Sequence, residues 1–298
     1  MTGTDATWVT QFLGEELTAE ENRLETAVCE IIPCGLEKTV SYGSGTAAGP
    51  AAIISASHQL ERLIGEDEAC RHGLYTHPAL DCSASIAEVL HNLQKLVFAC
   101  VRRGHVPVTL GGEHSLTYGV VKGLQDSLKQ PFGIVQIDAH ADLRTAYQGE
   151  PHSHASVMQL CCSADIPLFQ LGVRALCREE VEARRQHNVG YCDADRLVRQ
   201  QLSSVTLPND FPELVYVSFD LDGLDPAVLP ATGTPVPGGL GFYQALDLVS
   251  SACSGRKIVG MDIVELAPSP AHPASNFTAA LVTYHLIALA LSLSLIHI

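Results

Sequence analysis

The sequence has few basic residues: 18 lysines and arginines stand against 33 aspartates and glutamates, for a formal net charge of -15 at pH 7. Proteins that bind nucleic acids or anionic membranes depend on clustered positive charge. We therefore expect neither a nucleic acid nor a membrane surface as the main partner. The acidic balance suits a cationic ligand slightly better, although many soluble proteins are acidic for solubility alone.

The ten cysteines lack the spacings that mark a metal or disulfide framework. The chain has no Cys-x-x-Cys pair, and at 298 residues it is far longer than the small secreted domains that depend on disulfides. We interpret the cysteines as reduced thiols. Cys161 and Cys162 are neighbours in a predicted helix, where adjacent side chains point in different directions, so we expect interior packing rather than a disulfide.

A targeting segment and a clear membrane span are also missing. Residues 1–11 contain Asp5 and no basic region followed by an apolar stretch, which predicts no secretory signal and a cytoplasmic location. Polar residues interrupt the long apolar stretch at 277–298, which predicts a packing helix rather than a span. The repetitive residues 291–298 are consistent with a truncated or non-native tail.

Strand and helix patterns alternate along the chain. Four short runs rich in β-branched residues, 106–110, 134–137, 214–219 and 258–264, each stop at a glycine or a carboxylate, and helical spacing occurs between them, as in 86–101. Strands that are apolar on both faces predict a three-layer α/β fold, with a mainly parallel sheet and helices on both faces. No linker or repeat is visible, so we expect a single domain over residues 1–298.

The segment Asp138-Ala139-His140-Ala141-Asp142 places three possible metal ligands at alternate positions directly after a strand. Alternate positions of an extended segment share a face. A mixture of carboxylates and imidazole suits a divalent first-row metal rather than calcium. The alternative is that Asp138 caps a helix and His140 is an ordinary polar residue.

Two further strand ends carry similar groups. Asp220 and Asp222 form a carboxylate pair whose burial is costly without a cation, whereas Asp225, before a proline, is interpreted as a turn residue. Gly111-Gly112-Glu113-His114 is a weak motif alone, in which His114 is a candidate ligand and Glu113 an orienting or capping residue. The three segments together supply two imidazoles and four carboxylates, enough for two metals that share bridging carboxylates: His114, Asp138, His140, Asp142, Asp220 and Asp222.

In order and spacing, these motifs resemble the ureohydrolase family of arginases, agmatinases and formimidoylglutamases, from about Ser41 to Ala280. The resemblance implies an arginase-like fold, a trimer or hexamer, and two manganese ions, with nickel or another divalent metal as the alternative. It implies one metal bound by His114, Asp138, Asp142 and Asp220. It implies a second metal bound by His140, Asp138, Asp220 and Asp222.

The same resemblance suggests two catalytic residues. His154 matches the family's proton-shuttling histidine, with His152 as a rival and a plain loop histidine as the alternative. Glu265 matches the guanidinium-binding carboxylate, with a solvated charge after a strand as the alternative. The segment 231–240 matches a loop that borders the family's active site.

The implied reaction is hydrolysis of a small cationic guanidino substrate. The stretch after Asp142 lacks the asparagines with which arginases hold an amino acid, which favours agmatine, cleaved to urea and putrescine. Arg144 leaves open a guanidino acid as substrate if it faces the pocket. Arginase or formimidoylglutamase activity, a non-catalytic metal-binding homologue, and a zinc deacetylase of similar architecture are the remaining alternatives.

Overall fold

The computed structural model describes residues 11–295, and its centre is a sheet of eight strands that all run parallel. The strands lie in the order β2-β1-β3-β8-β7-β4-β5-β6. Their bounds are β1 Cys29–Cys34, β2 Leu74–Thr76, β3 Val106–Gly111, β4 Phe132–Ile137, β5 Leu168–Leu171, β6 Gly190–Cys192, β7 Leu214–Asp220 and β8 Lys257–Val264.

Helices connect these strands. They are α1 Gly49–Ser57, α2 Ile86–Arg102, α3 Thr117–Ser127, α4 Val157–Ser163, α5 Arg178–Gln186, α6 Ala194–Arg199, α7 Phe242–Ala252 and α8 Ala274–Leu295, with 3-10 turns at Gly14–Glu16, Thr46–Ala48, Ala69–His72, His114–Leu116, His154–Ser156 and Leu221–Gly223. The start of α2 shows why these segments are helical: Ser85 and Glu88 form a reciprocal capping box before an apolar stripe that includes Val89, Leu93 and Val97.

Two apolar layers cover the sheet. Successive strand residues alternate between them: Val135 and Val217 contact one layer, which α1, α7 and α8 complete, and Ile134 and Tyr216 contact the other, which α2, α3 and α4 complete. This arrangement confirms the predicted three-layer α/β fold, and it explains why the strands are apolar without interruption.

The four predicted strands correspond to β3, β4, β7 and β8, and α2 matches the predicted helix to within one residue. Sequence patterns did not reveal the other strands. β2 and β6 have only three residues each, and β1 carries a buried glutamate, Glu30, and a proline, Pro33. The cysteines Cys161 and Cys162 lie buried in α4, as predicted.

Among the described residues, one helix is long and apolar enough to cross a membrane by length and composition alone, 274–293 within α8. Half of that window is buried inside the protein, where α8 packs on α1 and β8. The core helix of a soluble protein passes the same test. The suggested tail at 291–298 continues α8 as far as Leu295, and its last three residues lie outside the described part of the chain, as do residues 1–10.

The strand order brings the polar motifs together. β3, β8, β7 and β4 are consecutive neighbours in the sheet although they are far apart in sequence. The segments that contain His114, Glu265 and Asp138 follow the carboxyl ends of β3, β8 and β4, and Asp220 is the last residue of β7. Since all strands run parallel, the four segments meet at one edge of the sheet.

Candidate metal centre and substrate pocket

His114 lies at the centre of the cluster and is almost fully buried. Its Nδ1 atom is 2.9 Å from Asp142 Oδ2, 3.2 Å from Asp138 Oδ2 and 3.3 Å from Asp220 Oδ2. None of these contacts has hydrogen-bond geometry, so Nδ1 is a buried polar atom without a hydrogen-bond partner. Such an atom facing three carboxylates needs a cation between them.

The other ring nitrogen of His114 supports the same conclusion. His114 Nε2 is 2.8 Å from Ser218 Oγ, and Ser218 in turn donates to Asp262 Oδ1 at 2.9 Å. Because Ser218 gives its only proton to the carboxylate, it accepts one from Nε2, and in the neutral ring Nδ1 then carries a lone pair. This is the form in which histidine binds a metal, with the second nitrogen donating to a neighbouring group.

A second group of candidate ligands shares Asp138 with the first. His140 Nδ1 lies 3.0 Å from Asp222 Oδ2 and 3.6 Å from Asp138 Oδ1. The ligand atoms of His114, Asp138 and Asp220, and those of Asp138, His140 and Asp222, are close enough in each set to surround one ion. The residues present therefore fit two neighbouring divalent cations.

The electrostatics of the cluster explain why cations are needed there. Burial and the nearby Asp222 and Asp138 raise the pKa of Asp220 well above its usual value, and burial and Asp138 raise the pKa of Asp142 to about 7. Burial alone would lower the pKa of His114, but the three carboxylates raise it well above its usual value. In the metal-free cluster these groups retain protons because a proton reduces the repulsion between neighbouring carboxylates. Divalent metals can take the place of those protons.

A buried polar network positions Asp138, and sequence reasoning missed it. Gln136 donates to Asp138 Oδ2 at 2.6 Å, Gln170 donates to Gln136 at 2.6 Å, and Arg184 donates to Gln170 at 2.8 Å. Arg184 is held in turn by Asp193. The only sequence signal was a polar residue inside two otherwise apolar strands, β4 and β5.

Arg174 was also missed. This half-buried guanidinium donates to five backbone carbonyl groups at 2.7–3.3 Å: Gly172, Asp222, Gly223, Leu224 and Val236. It thus joins the end of β5, the turn that carries Asp222, and the loop 231–240. Asp225, predicted as a turn residue, accepts from the backbone of Ala227, Gly238 and Gly239 and fixes the same loop.

Glu265 lies beside the metal cluster, directly after β8, in a left-handed backbone conformation with φ of 66°. Its Oε1 accepts from the backbone N–H of His114 at 2.7 Å, and burial raises the pKa of Glu265 to about 8. The loop 231–240 approaches its other oxygen at Gly233, where an added Cβ would lie 3.9 Å from Oε2. Glu265 is therefore a buried carboxylate in the pocket wall rather than a solvated charge.

The cluster forms the base of a cavity of about 440 Å³. His154 lines this cavity, whereas His152 does not; it lies near Glu150 and the ring of Tyr118 instead. The cavity wall also contains Arg144 and Tyr147, with the Arg144 guanidinium 5.9 Å from the centre of the Tyr147 ring. Of the two candidate histidines, only His154 faces the pocket.

The metal-free protein should lose stability as the pH rises from about 4 to about 8. Asp142 has a folded pKa of about 7 against an ordinary 3.8, and Glu265 about 8 against 4.5. Both pKa values are raised, so their stabilising effect is complete below the unfolded values and is lost as the pH passes the folded ones. The lowered pKa values of His154 and His285 act in the opposite direction just below pH 6.5.

Thermal unfolding between pH 5 and pH 8, with a chelator and with excess manganese, measures this effect. We expect the melting temperature to fall with pH in the chelator, and the fall to be much smaller with manganese. An equal pH dependence in both conditions would contradict a metal centre built from these groups.

Comparison with known proteins agrees with this geometry. The model of the arginase family matches residues 27–289. The chain is 33% identical over 279 residues to the N(1)-aminopropylagmatine ureohydrolase of Synechocystis sp., covering 88% of each chain, and 31% identical over 263 residues to the agmatinase of Pyrococcus horikoshii, covering 86% of this chain and 90% of that one. The crystal structure of the agmatine ureohydrolase of Thermoplasma volcanium superposes with a TM-score of 0.80 at 28% identity, over 94% of this chain and 96% of the other. The chain belongs to the arginase family.

Proposed function

We propose that this protein is a binuclear metal hydrolase that cleaves agmatine, or a closely related guanidino substrate such as N(1)-aminopropylagmatine, to urea and an amine. The observation that carries the proposal is the pair of histidine–carboxylate groups sharing Asp138 at the base of a cavity that also contains Glu265. The relatives named agmatinase and aminopropylagmatine ureohydrolase support the choice of substrate.

The proposed metal ligands are the six residues already described, and manganese is the proposed metal, with nickel as the alternative: His114, Asp138, His140, Asp142, Asp220 and Asp222. Divalent metals bound there supply Lewis acidity and lower the pKa of a bound water to near neutrality. In this proposal Glu265 accepts hydrogen bonds from the guanidinium group. Burial makes such charge-assisted bonds strong and keeps the guanidinium carbon in place beside the metals.

His154 is proposed to move the proton that the departing amine needs. Burial lowers the pKa of His154 below its usual value, which favours the neutral ring as the form that takes up a proton. His154 lines the cavity next to the cluster. It is the first residue of the short 3-10 turn that precedes α4. A general acid positioned in this way contributes about 10²- to 10⁴-fold to the rate.

The test measures urea release when manganese-loaded protein is presented separately with agmatine, N(1)-aminopropylagmatine, arginine and guanidinobutyrate. Formimidoylglutamate is a fifth substrate, for which formamide is the product measured. Preference for agmatine or its aminopropyl derivative would support the proposal. Absence of turnover with two metals bound would favour a non-catalytic homologue. A trimer or hexamer remains a prediction from the family resemblance, which analytical ultracentrifugation tests, and a cytoplasmic location remains a prediction from the pattern of residues 1–11.

A guanidino acid is the second candidate substrate, because Arg144 lines the cavity. Within residues 11–295, Arg144 has no carboxylate at salt-bridge distance, and its charge is available to a ligand. If agmatine is the substrate, Arg144 repels its terminal ammonium group. If an acid is the substrate, Arg144 attracts the carboxylate.

Arg144→Gln separates these alternatives. We expect it to lower KM for agmatine by about 2- to 5-fold and to raise KM for guanidinobutyrate by a similar factor, the size expected for partly exposed charges. Arg178→Gln is the matched control, because Arg178 is exposed at the start of α5 and does not line the cavity. If Arg144→Gln loses more activity with guanidinobutyrate than with agmatine, and the wild type also turns over guanidinobutyrate faster, the acid would replace agmatine as the proposed substrate.

A further inference from the structure

The hydroxyl group of Thr39 lies between a cavity histidine and a buried carboxylate. Thr39 Oγ1 is 3.1 Å from His154 Nδ1, 3.0 Å from Glu113 Oε1, and accepts from the backbone N–H of His154 at 3.0 Å. A hydroxyl has one proton to donate and two lone pairs. Three contacts at these distances use all of that capacity, so the direction of each hydrogen bond can be assigned.

Glu113 determines those directions. Its Oε2 accepts from the backbone N–H groups of Lys38 and Thr39 at 2.7 and 2.6 Å, and its Oε1 lies 2.5 Å from the hydroxyl of Ser115. A carboxylate accepts and does not donate, so both hydroxyl groups beside it must donate to it. Thr39 therefore gives its only proton to Glu113 and has only lone pairs to offer His154.

This leaves one arrangement for the neutral ring of His154. Its Nδ1 must carry the proton and donate it to Thr39, and Nε2 is then the nitrogen with the free lone pair. We propose that Thr39, held by Glu113, is a positioning residue that fixes the Nδ1–H tautomer and the orientation of His154, so that Nε2 is the atom that accepts and returns a proton. The inference deepens the proposed function and rests on the role given there to His154.

The surroundings of Thr39 support a rigid placement. The backbone N–H of Thr39 holds the residue against the fully buried Glu113, and the hydroxyl group cannot turn away without losing its contacts to Glu113 Oε1 and to His154. Glu113 is also the residue before His114 in the chain. The arrangement therefore links the loop that carries Thr39 to the strand end that carries the candidate metal ligand. It also gives a role to the side chain of Glu113, which stands at the N-cap position of the turn His114–Leu116 but makes no capping hydrogen bond there.

The first measurement requires neither metal nor turnover. Long-range nitrogen–proton correlation spectra of the metal-free protein, labelled with ¹⁵N in histidine and assigned by loss of one signal set in His154→Gln, report which ring nitrogen is protonated. We expect the Nδ1–H tautomer of His154 in the wild type and in Thr39→Ser, and a mixture of tautomers in Thr39→Val. The Nε2–H tautomer in the wild type would overturn the proposal.

The second measurement is steady-state kinetics with the substrate that gives the highest turnover. We expect Thr39→Val to lower kcat by about 10- to 100-fold with KM changed little, the loss typical of an orienting partner, and Thr39→Ser to restore most of it. Thr46→Val is the matched control, since Thr46 makes the same kind of hydroxyl contact, to Glu37, without touching His154. Equal kcat values in Thr39→Val and Thr46→Val would also overturn the proposal.

The two measurements distinguish failure of the inference from failure of the proposed function. If no guanidino substrate is turned over, the proposed function fails, and the tautomer spectra alone decide whether Thr39 fixes the His154 ring. If turnover is present and the spectra show no effect of Thr39, the proposed function stands and the positioning role is rejected.

Discussion

Replacing Asp220 with asparagine is expected to abolish urea release while leaving the metal-free protein at least as stable as the wild type. Asp220 is a proposed metal ligand in the group that also contains His114 and Asp138, and the family resemblance would place it in the second group as well. Without its carboxylate the cluster would bind divalent metal much more weakly. Activity should fall by at least about 10³-fold, since metal activation of water is the main source of the nucleophile. Burial and the neighbouring Asp222 and Asp138 raise the pKa of Asp220, so its charge is unfavourable in the metal-free fold.

The stability half of this prediction separates a ligand from a structural residue. Loss of an ordinary buried ion-pair partner destabilises a protein, whereas loss of one of several repelling carboxylates relieves it. Metal content by mass spectrometry, urea release and thermal unfolding in a chelator give the three quantities needed. Asp195→Asn is the matched control on the exposed surface of α6. A metal-free Asp220→Asn protein that unfolds well below the wild type would contradict the ligand assignment.

Arg174→Ala should produce the largest loss of stability. The variant removes the guanidinium donor from five carbonyl groups of three different segments, of which Gly223 keeps a second donor, the backbone N–H of Leu240. Unsatisfied partly buried acceptors cost about 1 kcal/mol or more each, and we expect a decrease of about 3 to 5 kcal/mol in the free energy of unfolding. Arg174→Lys should recover only part of it, because an ammonium group cannot reproduce the planar set of donors.

Urea denaturation of the manganese-loaded protein measures this decrease, and Arg199→Ala provides a control at an exposed arginine with a single aspartate partner. Arg174→Ala and Arg174→Lys should also bind manganese more weakly than the wild type, since Arg174 holds the turn that carries Asp222. A decrease below about 1 kcal/mol, within the range of ordinary surface substitutions, would show that the three segments hold their positions without it.

The local patterns of the sequence predicted the parts of the fold that depend on local chemistry. The four short apolar runs that stop at a glycine or a carboxylate became β3, β4, β7 and β8, and their polar ends became the cluster. Their adjacency could not be predicted, because no local pattern states that β7 and β8 lie between β3 and β4. The family resemblance, rather than periodicity, connected these segments before the structure did.

The residues that sequence reasoning missed are those whose role depends on contacts between distant segments. Thr39 contacts His154, which is 115 residues away in the chain, and Gln170 contacts Gln136 across neighbouring strands. Neither has an unusual composition around it. Conversely, Glu113 had a visible motif but an uncertain role, and only its four donors, in the loop that carries Thr39 and at Ser115, show what it does.

The position of β7 and β8 has a consequence for the order of folding. β3 and β4 are consecutive in the chain, yet they are not neighbours in the sheet. The last two strands of the chain, β7 and β8, are inserted between them. Until then, β3 and β4 expose unpaired backbone edges of the kind that pair with other chains. Contacts this distant in sequence form slowly. A chain that stops before β7 should therefore aggregate rather than bind metal, and the ability to bind metal should arise only after the last strand is in place.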